Sequence, residues 1–155
     1  MSAKKKRNKE EKSEVEEIPV DDILAVISGE TLAEEKVRRI EEILKDLTKV
    51  NKQIKGAMLA TMEGFPVATH PKKVFREDAR ISAAIAAIFA TSERNALDLV
   101  NENIQYVAIK TSNRYILIRL AGEDYILAVI TSEDAKLGII LRDLKEAGDK
   151  IRKII

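Results

Sequence analysis

With 155 residues, no cysteine and a formal net charge of +1, the chain has room for one domain plus a tail and excludes several chemistries at once. Lack of Cys removes disulfides, thiolate zinc sites and cysteine nucleophiles, and the balance of Lys+Arg against Asp+Glu leaves no global field for nucleic acid or an anionic membrane. No signal-peptide core and no apolar run near the ~20 residues of a membrane span are present, so no membrane contact and a cytoplasmic address are expected. Charged residues reach 34%, and the Lys, Glu, Arg and Ile content leans towards a thermophile.

Met1 to Glu17 reads MSAKKKRNKEEKSEVEE, with too little apolar surface to offset ordering entropy, so residues 1–17 are expected to be a disordered charged tail. The basic cluster Lys4–Arg7 within it is read as solvated charge. Residues 18–31 form a linker around the apolar segment PVDDILAVISG, which either covers an open surface of the core or caps a dimer. The domain proper is expected over 32–155.

Thr31 and Glu34 have capping-box spacing. Val37, Ile40, Leu44, Leu47, Val50 and Ile54 follow at three- and four-residue steps, predicting a one-sided amphipathic helix that ends near Lys52. Two short strands come next, Gly56–Thr61 and Phe65–Thr69, joined through Met62-Glu63-Gly64, where Gly64 supplies positive φ. Pro66 cannot donate a ladder bond, which marks its strand as an edge. His70 to Lys73 is read as a loop.

Asp78 is the expected N-cap of a helix reaching Val100, about 34 Å long at 1.5 Å per residue. Its first half is apolar or small nearly all round, so it is expected to be covered on two sides, by its own sheet and by a second copy of the chain. A meander of Ile104–Thr111, Arg114–Ala121 and Tyr125–Thr131 follows, β-branched and aromatic throughout. The first of these alternates and carries Gln105 and Lys110, so it reads as an edge open to another chain. The other two read as central strands covered on both faces. Ser132 is the expected cap of a last helix from about Asp134 to Lys153. Gly138 inside it is assigned to close packing on the sheet, near Tyr115 or Tyr125. The fold class is therefore α+β in the order α-β-β-α-β-β-β-α: one five-stranded antiparallel sheet with helices on both faces.

Catalytic signals are weak. His70 is the sole histidine, which excludes His clusters and His-rich metal sites, and it reads as a surface residue. No GxxxxGK run exists, so the chain is not a P-loop GTPase. The carboxylate pairs Glu34-Glu35, Glu41-Glu42 and Glu123-Asp124 are sequence neighbours that do not face one site. No catalytic residue, metal site or cofactor is expected, and the chain is not read as an enzyme.

Four stretches in this order and spacing resemble the Roadblock/dynein light chain family: GAMLATMEGFPVA, ISAAIAAIFATSERNALDLV, YILIRLAGEDYILAVIT and AKLGIILRDLKEAGDKI. The resemblance implies a homodimer in which the central helix and the first meander strand pair with their counterparts, extending the sheet across both copies. The interface would draw on Ile81, Ala84, Ile85, Ala87 and Ile88 of the helix, and on Ile104, Tyr106 and Ala108 of the edge strand. Prokaryotic members of the Mgl regulator type bind a Ras-like small GTPase and promote its GTP hydrolysis, and other members are scaffolds. The resemblance thus implies a Ras-like GTPase as partner, with Arg80, Glu93, Arg94 and Asp98 as the polar rim offered to it. A homodimeric scaffold without effect on hydrolysis is the competing reading.

Overall fold

The amphipathic period after Thr31 does produce a helix. In the computed structural model, whose described residues are 33–72 and 78–155, α1 runs Glu34–Val50 and buries Ile40, Leu44 and Leu47. Glu34 and Glu35 occupy its first turn and Lys49 its last, the signs that the helix dipole favours at each end. The expected tail, the 18–31 segment and the Thr31 cap lie outside the described residues.

The apolar stripe of α1 is shorter than its period suggests. Val50 is 84% exposed, and Ile54, counted as the stripe's last member, is the first residue of a strand and is buried there. The chain reverses at Asn51, whose N–H donates to the Leu47 carbonyl at 3.2 Å and whose carbonyl accepts from Ile54 N at 3.0 Å.

The strands are β1 (Ile54–Thr61), β2 (Pro66–His70), β3 (Val107–Lys110), β4 (Tyr115–Leu120) and β5 (Tyr125–Thr131), in sheet order β2-β1-β5-β4-β3 with antiparallel neighbours. Both expected edges are edges. β2 begins at Pro66, whose missing N–H suits that position. His70, expected in a loop, closes β2, where Ala57 is its register partner. β3 is shorter than expected, so Ile104, Gln105 and Tyr106 precede the strand.

Two further helices complete the order among the described residues: α2 (Asp78–Val100) and α3 (Leu137–Arg152). α1 packs on β1 and β2, α3 packs on β4 and β5, and the two helices touch each other. Alternation along the strands splits their side chains between two layers. Met58, Ile118, Ile126 and Ala128 join Ile85, Ala86 and Phe89 of α2. Ala57, Leu59, Leu117, Leu127 and Val129 project to the other face and are fully buried with Ile40, Leu44, Ile140, Leu144 and Ile151.

Two local expectations for α3 are corrected. Ser132 does not cap it; the N-cap is Lys136, with no side-chain cap of its own. Gln53, entering β1, supplies the acceptor instead, its Oε1 taking the Lys136 N–H at 3.0 Å while its Nε2 donates to the Asp134 carbonyl at 3.0 Å. This cap arrives from a residue distant in sequence, so local spacing holds no trace of it. Nor does Gly138 pack on the sheet: a Cβ built there meets nothing within 4 Å. The helix glycine against the sheet is Gly148, whose Cβ position lies 3.6 Å from the Leu120 carbonyl oxygen and 3.9 Å from Ala121 Cβ.

Candidate functional site

α2 is the element whose composition most needs explaining. Its inward stripe is Ser82, Ile85, Ala86 and Phe89, all buried. Ser82 Oγ donates to the Gly64 carbonyl at 2.7 Å, tying the helix to the β1–β2 hairpin. That hairpin turns at Gly64 with φ +97, as its sequence required, and a Cβ there would lie 2.9 Å from Ala83 Cα. Asp78 is the first helical residue, and its Oδ2 accepts the Thr69 hydroxyl at 3.2 Å.

Because Ser82 faces the sheet, its neighbours project to opposite flanks of the helix. Ala83 lies against the hairpin of β1 and β2, so Ile81 lies on the flank towards β4 and β3, where it packs on the core with Ile104, Val107 and Ile116. Steps of three and four carry that second flank from Ile81 through Ala84 to Ile88. Ala84 is exposed and Ile88 is 36% exposed.

Beyond this flank the helix stops covering the sheet. Ile109 pairs with Ile116, and Ile116 with Ile130, so the three form one row across β3, β4 and β5 on the α2 face. All three are only half-buried. The row ends at β3, whose outer edge has no strand partner among the described residues. Among the described residues, an apolar helix flank, a half-buried apolar sheet row and an unpaired strand edge thus adjoin.

The residues expected at an interface divide on this geometry. Ala84 and Ile88 lie on the open flank and Ile81 at its foot. Ile85 is 6% exposed and belongs to the chain's own core. Ala87 is exposed but falls on the opposite flank, with Ala83. Ile104 packs against the core, Tyr106 is 40% exposed just before β3, and Ala108 is exposed on the sheet face away from α2. Sequence reasoning misses Ile109, Ile116 and Ile130. The signal for Ile116 and Ile130 is the near-continuous apolar character of β4 and β5, which reads as full coverage on both faces.

Of the expected polar rim, Arg80, Arg94 and Asp98 are exposed, whereas Glu93 is half-buried on the sheet-facing side. Arg94 and Asp98 have ion-pair spacing yet form no salt bridge, whereas the sequence neighbours Arg142 and Asp143 do form one, at 3.4 Å. Asp143 also accepts from Asn51 Nδ2 at 2.8 Å, beside a cleft of about 120 Å³ between α1 and α3. The Ser132 hydroxyl, 2.7 Å from Asp134 Oδ1, holds that carboxyl below its ordinary value of 3.8. Among the described residues no group of three or more His, Cys, Asp or Glu could hold a metal ion, and no helix is long and apolar enough to cross a membrane.

Among the described residues, a five-stranded antiparallel sheet with two helices over β1, β2, β4 and β5 on one face, and one long helix partly covering the other, defines a small α+β domain that presents a helix flank and a strand edge. The chain belongs to the Roadblock/LC7 family, whose Roadblock/LC7 domain profile matches residues 39–131. An uncharacterized protein of Methanocaldococcus jannaschii is 33% identical over 115 residues, covering 73% of this chain and 96% of the relative. Among solved structures, MglB of Myxococcus xanthus is similar with a TM-score of 0.71 at 19% identity, covering 79% of this chain and 92% of that one. The gliding protein MglB of Thermus thermophilus has a TM-score of 0.69 at 20% identity, covering 80% and 93%. A further MglB structure, described as having a tetrameric arrangement, has a TM-score of 0.71 at 20% identity and covers 80% and 93%.

Proposed function

We propose that the protein is a non-catalytic homodimeric regulator that binds a Ras-like small GTPase and modulates its GTP hydrolysis. The observation that carries this reading is the open side of α2, where Ala84, Ile88 and the row Ile109–Ile116–Ile130 adjoin the bare edge of β3. A second copy related by a two-fold axis would pair β3 with β3 and lay α2 beside α2, removing this apolar surface from water. The Arg80, Arg94 and Asp98 side of α2 then remains outward as a platform. Family membership and the likeness to MglB structures support the GTPase as the occupant of that platform. A regulator of this kind acts by rearranging the switch loops of the GTPase.

The test has two parts. Light scattering of the wild type should give the mass of a dimer, and Ile88→Glu or Ala84→Arg should give monomer or insoluble protein. GTP hydrolysis by a Ras-like GTPase from the same source is then measured with and without the protein, beside a pull-down in the GTP and GDP states. Faster hydrolysis with GTP-selective binding supports the regulator. Binding without acceleration selects the homodimeric scaffold, and no binding in either state removes the GTPase from the reading.

A further inference from the structure

On the face of the sheet away from α2, α1 and α3 touch each other, and a cleft of about 120 Å³ lies between them. Its floor is apolar, with Leu47 and Ala147 buried and Ile43 half-buried, and Asp46, Glu146 and Lys150 stand exposed around it. A second hollow, of about 320 Å³, shares Val50 and Asp143 with the first. Lys52, Lys136, Ile139 and Arg142 also line it, all exposed.

The lining residues place the two hollows end to end. From the shared Val50 and Asp143, the first runs back along α1 to Ile43 and forward along α3 to Lys150. The second runs the other way, past the end of α1 to Gln53 and back along α3 to Lys136. Helices that meet in this sense are antiparallel, so the hollows are two halves of one groove with Val50 and Asp143 at its middle. Val50 is 84% exposed there, and Ile139 is 41% exposed beside it.

The charges divide with the halves. Around the first, Asp46, Asp143 and Glu146 stand against Lys150 alone; around the second, Lys52, Lys136 and Arg142 stand against Asp143 alone. Asp143 is already engaged, accepting from Asn51 and bridged to Arg142. Asp46, Glu146, Lys52 and Lys136 form no salt bridge with any described residue. The uncommitted charge is therefore negative on balance at one end of the groove and positive at the other.

We infer that this groove is a docking surface for a second copy of the same chain, related by a two-fold axis through the neighbourhood of Val50. Such an axis turns the acidic half of one copy onto the basic half of its partner, and symmetry makes the match twice. A groove of one sign would call for a partner of the other sign, whereas one that carries both signs in halves is complementary to itself. Val50 and Ile139 of both copies would leave water at the centre of the contact. Two short hollows make a small interface, so this pairing is weak and forms above the concentration at which pairing through α2 sets the mass. The groove and α2 lie on opposite faces of the sheet, so one chain can use both, and two distinct two-fold contacts on one chain build assemblies larger than a dimer.

The experiment is sedimentation velocity of the full-length protein, from dilute solution to about 1 mM. Wild type is expected to reach twice its dilute mass or more, and to do so less readily at high salt. Val50→Asp, at a position the fold leaves in water, should abolish the rise. Asp46→Lys with Glu146→Lys should raise the dissociation constant about tenfold or more, because cations then meet Lys52 and Lys136, and Lys52→Glu with Lys136→Glu should do the same. All four charge reversals in one chain put opposite signs back in register and should restore pairing, a rescue that damage to the fold would not give. Circular dichroism should be unchanged throughout. Ile88→Glu or Ala84→Arg, monomeric when dilute, should still pair when concentrated, which keeps failure of this inference apart from failure of the α2 reading. A mass constant at every concentration overturns the second copy as occupant and leaves the groove to a different partner. Wild-type pairing in Val50→Asp or in either charge-reversed chain overturns the inference, as does a folded fourfold variant that fails to pair. A soluble Ile88→Glu or Ala84→Arg chain that stays monomeric when concentrated overturns the groove's independence from α2.

Discussion

The two faces of the sheet are built from the same alternating strands but finished differently. On one, Ile40 and Leu44 of α1 and Ile140, Leu144 and Ile151 of α3 are all fully buried over β1, β2, β4 and β5. On the other, Phe89 is fully buried beneath α2 while Ile109, Ile116 and Ile130 remain half-exposed beside it. Among the described residues, two helices bury the strand side chains beneath them more fully than one helix does. Both faces bury core side chains of the single chain, and the open face in addition leaves apolar surface for association.

Substitutions on the two faces should separate those roles. Leu144→Ala removes a fully buried side chain from the closed face and should cost about 2–5 kcal/mol, read as a lower denaturation midpoint, with the assembly mass unchanged in the native range. Ile88→Glu should do the reverse. At 36% exposure the new carboxylate reaches water in the single chain, so unfolding at low protein concentration shifts little while the mass falls to that of a monomer. If Ile88→Glu destabilises as strongly as Leu144→Ala at every protein concentration, the two faces do not differ in the way argued.

The glycines sharpen the contrast at lower energy. Gly64 has φ +97, and a Cβ there would lie 2.9 Å from backbone of α2, the helix of the open face. Gly64→Ala should therefore cost at least the ~1–2 kcal/mol of an L-residue in left-handed backbone. Gly138, on α3 of the closed face, has nothing around its Cβ position, so Gly138→Ala should be neutral or stabilising by up to about 1 kcal/mol. Thermal unfolding of the two variants should bracket the wild type, and equal losses in both would show that Gly138 carries packing after all.

What the sequence reveals follows how local each cause is. The order of elements, both sheet edges and the Gly64 turn are legible because Pro66, Gly64 and the apolar periods act within a few residues of themselves. The two-sided need of α2 is legible from its alanines, but not which flank stays open. That flank is set by Ser82 bonding to Gly64 and by where β3 falls in the sheet. Ile116 and Ile130 are hidden for a related reason: full coverage and half coverage give strands of the same apolar character. Gln53 and Asn51 are hidden because their partners, Lys136 and Asp143, are far along the chain. A polar residue in a short connection carries no mark of which distant helix it will fasten.

The smallest expected effect tests that last point where α3 begins. If Ser132 capped α3, Ser132→Ala would loosen the helix. In this structure Gln53 holds the Lys136 N–H, and the Ser132 hydroxyl bonds to the side chain of Asp134, a fully exposed residue. Gln53→Ala should then cost about 1 kcal/mol, the net worth of a hydrogen bond, whereas Ser132→Ala should leave the unfolding midpoint near that of the wild type. The change for Ser132→Ala should appear in titration. The Ser132 hydrogen bond lowers the folded pKa of Asp134, so its stabilisation is present above the ordinary value of 3.8 and is lost as pH falls through the lower folded value. Removing the hydroxyl should move the Asp134 carboxyl resonance up towards 3.8 and make stability slightly less dependent on acid. Should the wild-type carboxyl already titrate at 3.8, or Ser132→Ala cost as much as Gln53→Ala, the cap belongs to Ser132 and the long-range fastening by Gln53 is secondary.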